Sequence, residues 1–203
     1  MMISQIPPRF EAVSQSTYKS EDGLVALPVD ESLCQVLRKD DGEIRIAFLV
    51  VPKTLRNYQN IFQTSDGNKG IRIEIDETGG VGLIVADTST GFLAAGAERK
   101  VSPNVENQVR VTLTRSRGVS ISVNDSDKSV TKGEASPMCD RFLIGAGFDE
   151  TRIFSGSVQA EITVGLRRDI PLQNISRIVA QILLFGGFLL WATRSTEPNS
   201  EIT

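Results

Sequence analysis

The stretch that decides the fold runs from Gly70 to Asp87 and reads GIRIEIDETGGVGLIVAD. In its first half, Ile71, Ile73 and Ile75 alternate with other residues. A period of two places these three side chains on one face of a β-strand. The pair Gly79-Gly80 then interrupts the pattern before the apolar run VGLIVAD, and glycine is favoured in tight turns. This stretch predicts two strands joined by a short turn.

Further segments of the same kind follow one another closely along the chain. Their alternation, interrupted by turn residues every dozen or so positions, is typical of an antiparallel β-sandwich or barrel. No segment between residues 19 and 166 has a helical period. The other predicted strands are EIRIAFLVV (43–51), GFLAAGA (91–97), NQVRVTLTR (107–115), VSISVND (119–125), RFLIGAG (141–147) and SVQAEITVG (157–165).

The composition excludes several classes of chemistry. The 203 residues include 22 lysines and arginines against 25 aspartates and glutamates, so the formal net charge is −3. Because there is no basic excess, we expect no nucleic-acid partner. Histidine is absent, which excludes imidazole-based catalytic triads, histidine-ligated zinc sites and histidine pH switches.

One segment near the C-terminus is uniformly apolar. Residues 178–193, IVAQILLFGGFLLWAT, contain no charge and lie between Arg177 and Arg194. As a helix they would be about 24 Å long, shorter than a hydrocarbon core of about 30 Å, so a buried or interfacial helix is the alternative. The apolar residues nevertheless cover every face, and the flanking arginines can extend to the two headgroup layers. We therefore predict a single transmembrane helix at 177–194.

Other residues of this helix indicate what it contacts. Trp191 lies where an interfacial anchor is expected. The pair Gly186-Gly187 would allow close approach of another helix. The predicted partners are therefore the lipid bilayer and integral membrane protein subunits.

The arginines also predict the orientation of the chain. Arg167, Arg168 and Arg177 precede the helix, whereas Arg194 is the only basic residue after it. Positive residues favour the cytoplasmic side, and the first thirty residues contain no secretory signal pattern. We therefore expect a single-pass membrane protein with its N-terminal domain in the cytoplasm and its C-terminus on the opposite side.

The order of segments resembles that of a known family. IFQTSDGNKGIRIEIDETGGVGLIVAD (61–87) is similar to the paired central strands of laminin G-like or concanavalin A-like jelly rolls. FLIGAGFDETRIFSGSVQAEITV (142–164) resembles their closing segment, in which an iGxG strand precedes an F-x-G-x-[IV] strand. The matching positions are Ile144, Gly145, Gly147, Phe154, Gly156 and Val158. The resemblance covers about residues 20 to 166 and implies an all-β fold, an antiparallel jelly-roll β-sandwich.

These observations divide the chain into five parts. An N-terminal extension (1–18) precedes a laminin G-like β-sandwich (19–168), and a linker (169–176) leads to the transmembrane helix (177–194) and a polar tail (195–203).

The resemblance raises the question of hydrolytic chemistry. Laminarinase-type glycoside hydrolases share the jelly roll and carry carboxylates at i, i+2 and i+4 of one strand. Here Glu74 and Asp76 occupy the first two positions, but Thr78 occupies the third. Glu77 should point to the opposite face of the strand, so it cannot replace the missing acid. We therefore expect no catalytic residues, and solvated surface carboxylates explain the motif.

Binding of a glycan without hydrolysis is an alternative function. Sugar sites usually combine an aromatic platform with a few fixed polar groups. The only tryptophan, Trp191, is in the predicted anchor, which leaves Tyr18 and Tyr58 as the tyrosines of the body. Loss of glycan binding on substitution of Tyr58 or of a loop aspartate would favour this alternative.

Metal binding and thiol chemistry receive little support from the sequence. Many laminin G-like domains share a calcium site at the rim of the sandwich, and calcium needs about six to eight oxygen ligands. No spacing among the loop carboxylates selects such a cage, so no cofactor is expected, with calcium as the alternative. The two cysteines, Cys34 and Cys139, are expected to be free thiols in a cytoplasmic domain, with a disulfide as the alternative. The loop carboxylates are Asp66, Asp87, Asp125, Asp127, Asp149 and Glu150.

The sequence thus predicts a non-catalytic, membrane-anchored accessory subunit whose β-sandwich braces or recruits partner proteins of a membrane assembly. The candidate interaction rim consists of Arg117, Asp149, Glu150 and Arg152. A membrane-anchored carbohydrate-binding module is the alternative, and a degenerate glycoside hydrolase is the third hypothesis.

Overall fold

The chain forms two antiparallel β-sheets. The computed structural model describes residues 9–21, 25–28, 34–36, 38–64, 70–87, 91–134, 141–147 and 152–168. The strands are β1 (Arg9–Glu21), β2 (Val25–Pro28), β3 (Gly42–Pro52), β4 (Gln59–Gln63), β5 (Gly70–Ile75), β6 (Val81–Asp87), β7 (Gly91–Gly96), β8 (Asn107–Thr114), β9 (Gly118–Val123), β10 (Ser129–Thr131), β11 (Arg141–Ile144) and β12 (Gly156–Arg168). Sheet I has the order β1-β12-β3-β8-β9-β10, and sheet II has the order β2-β11-β4-β5-β6-β7.

The predicted all-β sandwich of two antiparallel sheets is confirmed. The compact unit formed by residues 10–167 contains both sheets. A second unit, Met1–Arg9 with Arg168–Thr203, lies outside the described residues except for its two strand-end arginines. Strand β1 begins at Arg9, inside the segment that we predicted to be an extension. The sequence did not predict this strand because its polar composition hides the alternation.

The predicted membrane helix lies beyond the described part of the chain. Among the described residues, no helix is long and apolar enough to cross a membrane. The segment 177–194 falls outside those residues, so the anchor and its packing stay predictions.

The core lies between the two sheets. On β5, Ile71, Ile73 and Ile75 are at most 1% exposed, as their alternation predicts. Three phenylalanines join the sheets at the centre: the ring centroid of Phe62 is 5.8 Å from that of Phe48 and 5.4 Å from that of Phe142. Rings at these distances pack edge to face or tilted, which adds to the free energy gained from burial.

In the closing segment, the F-x-G-x-[IV] motif needs its glycine, Gly156, because two strands approach each other closely there. Phe154 is 1% exposed and Val158 is fully buried, so both belong to the core. Gly156 lies between them with φ +140°, and a Cβ atom on this residue would come within 2.1 Å of the Val51 carbonyl oxygen. Only glycine allows β12 to approach β3 this closely.

The expectation of free thiols is wrong for Cys34. Its sulfur is disulfide-bonded, and the sequence contains one other cysteine, Cys139. The expectation of free thiols rested on a cytoplasmic setting, whereas disulfides are typical of oxidising compartments.

Candidate functional site

The outer face of sheet II carries a compact group of charged and aromatic side chains. Because side chains alternate along a strand, Arg72 and Glu74 of β5 point away from the core that Ile71, Ile73 and Ile75 fill. Arg152 reaches the same place from the segment before β12, and Tyr58 from the residue before β4. We refer to Tyr58, Arg72, Glu74 and Arg152 as the arginine cluster.

Two arginines share one carboxylate oxygen in this cluster. Arg152 Nη1 donates to Glu74 Oε2 at 2.9 Å, and Arg72 Nε lies 3.2 Å from the same oxygen. The Arg72 contact is an ion pair without hydrogen-bond geometry, since this buried Nε–H has no hydrogen-bond partner among the described residues. The Glu74 side chain is 11% exposed, against 25% for Arg72 and 36% for Arg152. The cluster therefore has a net charge of +1 and presents guanidinium groups at the surface.

Tyr58 supplies the exposed aromatic surface of the cluster. The residue is 50% exposed, and the Arg152 guanidinium carbon lies 5.4 Å from the centre of its ring. Within about 6 Å a guanidinium is attracted to the ring face. Tyr58 also has a φ of +55°, a left-handed conformation that is uncommon for a bulky residue. Such conformations persist where the surrounding structure holds them, which is frequent at binding sites.

The Gln59 side chain and the Asn60 backbone join the two segments that carry Tyr58 and Arg152. Gln59, 2% exposed, donates from Nε2 to the Thr54 carbonyl at 3.1 Å and accepts from the Ser155 N–H at 3.0 Å. The next residue, Asn60, donates its backbone N–H to the Arg152 carbonyl at 3.0 Å. The loop before β4 and the segment of Arg152 are thus joined by hydrogen bonds, so Tyr58 and Arg152 are fixed relative to each other.

A shallow apolar floor extends from the cluster across β6 and β7. Glu74 pairs with Gly82, and Gly82 pairs with Gly96 on β7. A Cβ atom on either glycine would meet no atom within 4 Å, so the space above them is open. A ligand that contacts the arginines can therefore also lie flat on the sheet.

The arrangement suits a ligand that has both a carboxylate and hydroxyl groups. The terminal nitrogens of Arg72 make no hydrogen bond within the described residues, and guanidinium groups bind carboxylates through paired N–H donors. Glu74 Oε1 has no hydrogen-bond partner among the same residues and can accept from a hydroxyl. Tyr58 offers a flat surface to the apolar side of a ring.

Asp76, the second carboxylate of the hydrolase-like motif, has a structural role in the β5–β6 turn. Its Oδ1 accepts from the Thr78 N–H at 2.7 Å, the Thr78 hydroxyl at 2.8 Å and the Gly80 N–H at 2.9 Å. Burial alone would raise the pKa of Asp76, but these hydrogen bonds and the charge of Lys100 outweigh it and hold the pKa below its ordinary value. Asp76 therefore caps the turn, with its Oδ1 engaged by three hydrogen bonds.

The outer face of sheet I contains a groove of about 510 Å³ in which the charged side chains other than Lys128 are engaged within the protein. Glu43 is 1% exposed and accepts from Arg45 Nε at 2.6 Å and from the Thr114 hydroxyl at 3.0 Å, while Arg167 Nη1 lies 3.6 Å away. Arg45 also stacks on Phe10, with its guanidinium carbon 3.8 Å from the ring centre. Among the described residues, no aromatic side chain lines this groove. The arginine cluster on sheet II is therefore the better candidate.

The structure separates the predicted interaction rim. Arg117 is exposed in the β8–β9 turn, near the beginning of β3, whereas Arg152 lies near its end. The 11 residues of β3 put roughly 33 Å between these two ends. The rest of the predicted interaction and anchor residues lie outside the described part of the chain: Asp149, Glu150, Arg177, Gly186, Gly187, Trp191 and Arg194.

Three members of the arginine cluster were predicted from the sequence for separate reasons, and the fourth was not. It selected Glu74 as part of a hydrolase-like motif, Tyr58 as an aromatic candidate and Arg152 as a rim residue. Arg72 was missed, although its position two residues before Glu74 places both on one strand face. The other tyrosine, Tyr18, packs against the core and is not available as a platform.

The described residues contain no group of three acidic or cysteine side chains that could hold a metal ion. Of the loop carboxylates that were considered as calcium ligands, Asp125 forms an ion pair with Arg110.

Comparison with known proteins identifies the fold through structure alone. No family model and no curated protein sequence matches the chain. The carbohydrate-binding module CBM40 of the Ruminococcus gnavus IT-sialidase, solved with α2,3-sialyllactose, is similar with a TM-score of 0.55 and 17% identity, covering 76% of this chain and 92% of that module. The same module bound to α2,6-sialyllactose has a TM-score of 0.53, with the same identity and coverage.

A second kind of neighbour is a toxin domain. The receptor-binding domain of botulinum neurotoxin of the C/D mosaic serotype has a TM-score of 0.53 at 11% identity, covering 88% of this chain but 46% of that domain. This chain therefore spans less than half of the toxin domain. At these identities the similarity establishes the fold, a β-sandwich that it shares with carbohydrate-binding and receptor-binding domains.

Proposed function

We propose that this protein is a non-catalytic carbohydrate-binding domain that recognises a sugar bearing a carboxylate on the outer face of sheet II. The observation that carries the proposal is the arginine cluster. Its two guanidinium groups share one glutamate oxygen beside a half-exposed tyrosine, so positive charge, a hydroxyl acceptor and an aromatic surface converge. Each of these matches one part of an acidic pyranose.

Two further observations support this proposal. The Ruminococcus module with the same fold binds sialyllactose, whose terminal sugar carries a carboxylate. The disulfide at Cys34 is typical of domains in oxidising compartments, where cell-surface glycans are also found.

A disulfide favours the side of the membrane opposite to the one predicted from the arginine distribution. Digestion of the domain by a protease added to intact cells would support the outer location, and protection would support the cytoplasmic one.

Membrane anchoring through 177–194 and the bracing of partner subunits stay predictions from the sequence. No feature of the described residues favours a bracing role over glycan binding. An anchor would be compatible with the proposed function, because it would hold a glycan-binding domain at a membrane surface.

Titration calorimetry of the full-length protein with α2,3-sialyllactose tests the proposal. We expect saturable binding that Arg72→Gln weakens at least tenfold, because a charge-assisted hydrogen bond contributes about 1.5–3 kcal/mol. Arg152→Gln should have a similar effect. Arg110→Gln is the matched control, since Arg110 also forms an ion pair with a carboxylate but lies on β8 of sheet I. Absence of binding by the unsubstituted protein, or equal weakening by the Arg110 variant, would contradict the proposal.

A further inference from the structure

Phe92 is an exposed aromatic residue that the core does not use. It lies on β7, one of the two edge strands of sheet II, and is 71% exposed, more than any other large hydrophobic residue in the described part of the chain. Scattered exposed hydrophobic residues are ordinary on protein surfaces. Phe92 differs because it shares the outer face of sheet II with the arginine cluster.

The strand register places Phe92 on the same outer face as the arginine cluster. Arg72 pairs with Ile84, and Ile84 pairs with Ala94. Phe92 lies two residues before Ala94, so the two side chains point to the same face. With strands about 4.8 Å apart and about 3.3 Å per residue, the Cα atoms of Phe92 and Arg72 are roughly 12 Å apart. This distance is greater than the width of a single sugar ring.

The surface between Phe92 and Arg72 is low and apolar. Ile84 is half-buried, and Ala94 is exposed but has only a methyl side chain. Ala86, which pairs with Phe92 on β6, is also half-buried and has only a methyl side chain. Among the described residues, an extended ligand can therefore run from the arginines to Phe92 over Ile84 and two alanines without crossing a charged side chain.

We propose that Phe92 forms a second subsite, so that the ligand is an acidic oligosaccharide and not a single acidic sugar. The carboxylate-bearing terminal ring binds at the arginine cluster, and a following ring stacks its C–H face on the Phe92 ring. This inference rests on the proposed function, because the distance to Phe92 is measured from the arginine cluster, where the terminal acidic ring binds.

The test compares a trisaccharide with a monosaccharide. We expect the full-length protein to bind α2,3-sialyllactose more tightly than the methyl glycoside of N-acetylneuraminic acid. Phe92→Ala should weaken trisaccharide binding about fivefold and leave monosaccharide binding unchanged, since one aromatic stacking contact contributes about 1 kcal/mol. Val130→Ala is the control, because Val130 is 61% exposed on β10 of sheet I and should affect neither ligand.

The outcomes separate the inference from the proposed function. If the unsubstituted protein binds both ligands equally, or if Phe92→Ala changes neither or both, the second subsite does not exist while acidic-sugar binding stands. If the protein binds neither ligand, the proposed function fails and the inference fails with it. Because Phe92 is largely exposed, its substitution should leave the melting temperature close to that of the unsubstituted protein.

Discussion

At the scale of single residues, the same kind of side chain has opposite roles two positions apart. Glu74 is held by two arginines on the outer face of sheet II and keeps one oxygen available for a hydroxyl. Asp76 is engaged by Thr78 and Gly80, so its carboxylate organises a turn. The sequence places both in one acidic motif, and only their hydrogen-bond partners distinguish them.

The pH dependence of stability should reveal the role of Asp76. Its pKa in the folded protein is below the ordinary value of 3.8, so the unfolded chain takes up its proton first as pH falls. The contribution of Asp76 to stability is therefore complete well above pH 4 and is lost as the pH falls through the folded-state pKa. We expect the unfolding free energy of Asp76→Asn to be lower than that of the unsubstituted protein at pH 7.

The two proteins should then converge on acidification. Denaturant titrations at pH 7, 5, 4 and 3 measure the difference, and Glu77→Gln in the same turn is the control, since its exposed side chain should change little. A difference between the Asp76 variant and the unsubstituted protein that stays constant down to pH 3 would contradict the assigned role.

At the scale of strands, the pattern of alternation predicted the strands that have a continuous apolar face and missed β1, β2 and β10. Strands β3, β5 and β8, and β12 as far as Val164, contain buried residues at every second position, which is the signal that the sequence shows. Strand β10 has three residues and β2 has four, too few to establish a period. Strand β1 is long but lies at the edge of sheet I and is rich in polar residues, so it lacks a continuous apolar face.

The close approach of β12 and β3 should make one glycine irreplaceable. Gly156→Ala places a Cβ atom where the Val51 carbonyl oxygen lies, and it also puts an alanine at φ +140°. We expect a loss of about 2 kcal/mol or more in the free energy of unfolding, measured by urea titration. Gly96→Ala is the matched control on another strand, because its Cβ atom would meet nothing within 4 Å, and its effect should stay within about 0.5 kcal/mol. Equal effects of the two substitutions would contradict this explanation of the motif.

At the scale of the whole molecule, the sequence predicted the sandwich but could not assemble the site. Local alternation and turn residues are sufficient for the class of fold, because each strand carries its own signal. The arginine cluster joins Arg152 to Glu74 across 78 positions of sequence, and no local pattern records that contact. Likewise, the accessibility of Phe92 depends on its place in an edge strand, since the sequence around it reads as one more apolar segment.

The most direct test of the site is the position of a bound acidic oligosaccharide on the two-sheet sandwich. Amide chemical shifts of the isotope-labelled full-length protein, recorded during titration with α2,3-sialyllactose, report that position residue by residue. Binding on the outer face of sheet II predicts that the largest shifts occur at Tyr58, Arg72, Glu74, Gly82 and Arg152. Shifts centred instead on the sheet I groove formed by β3, β8 and β12, or no shifts at millimolar ligand, would contradict the assignment of the site.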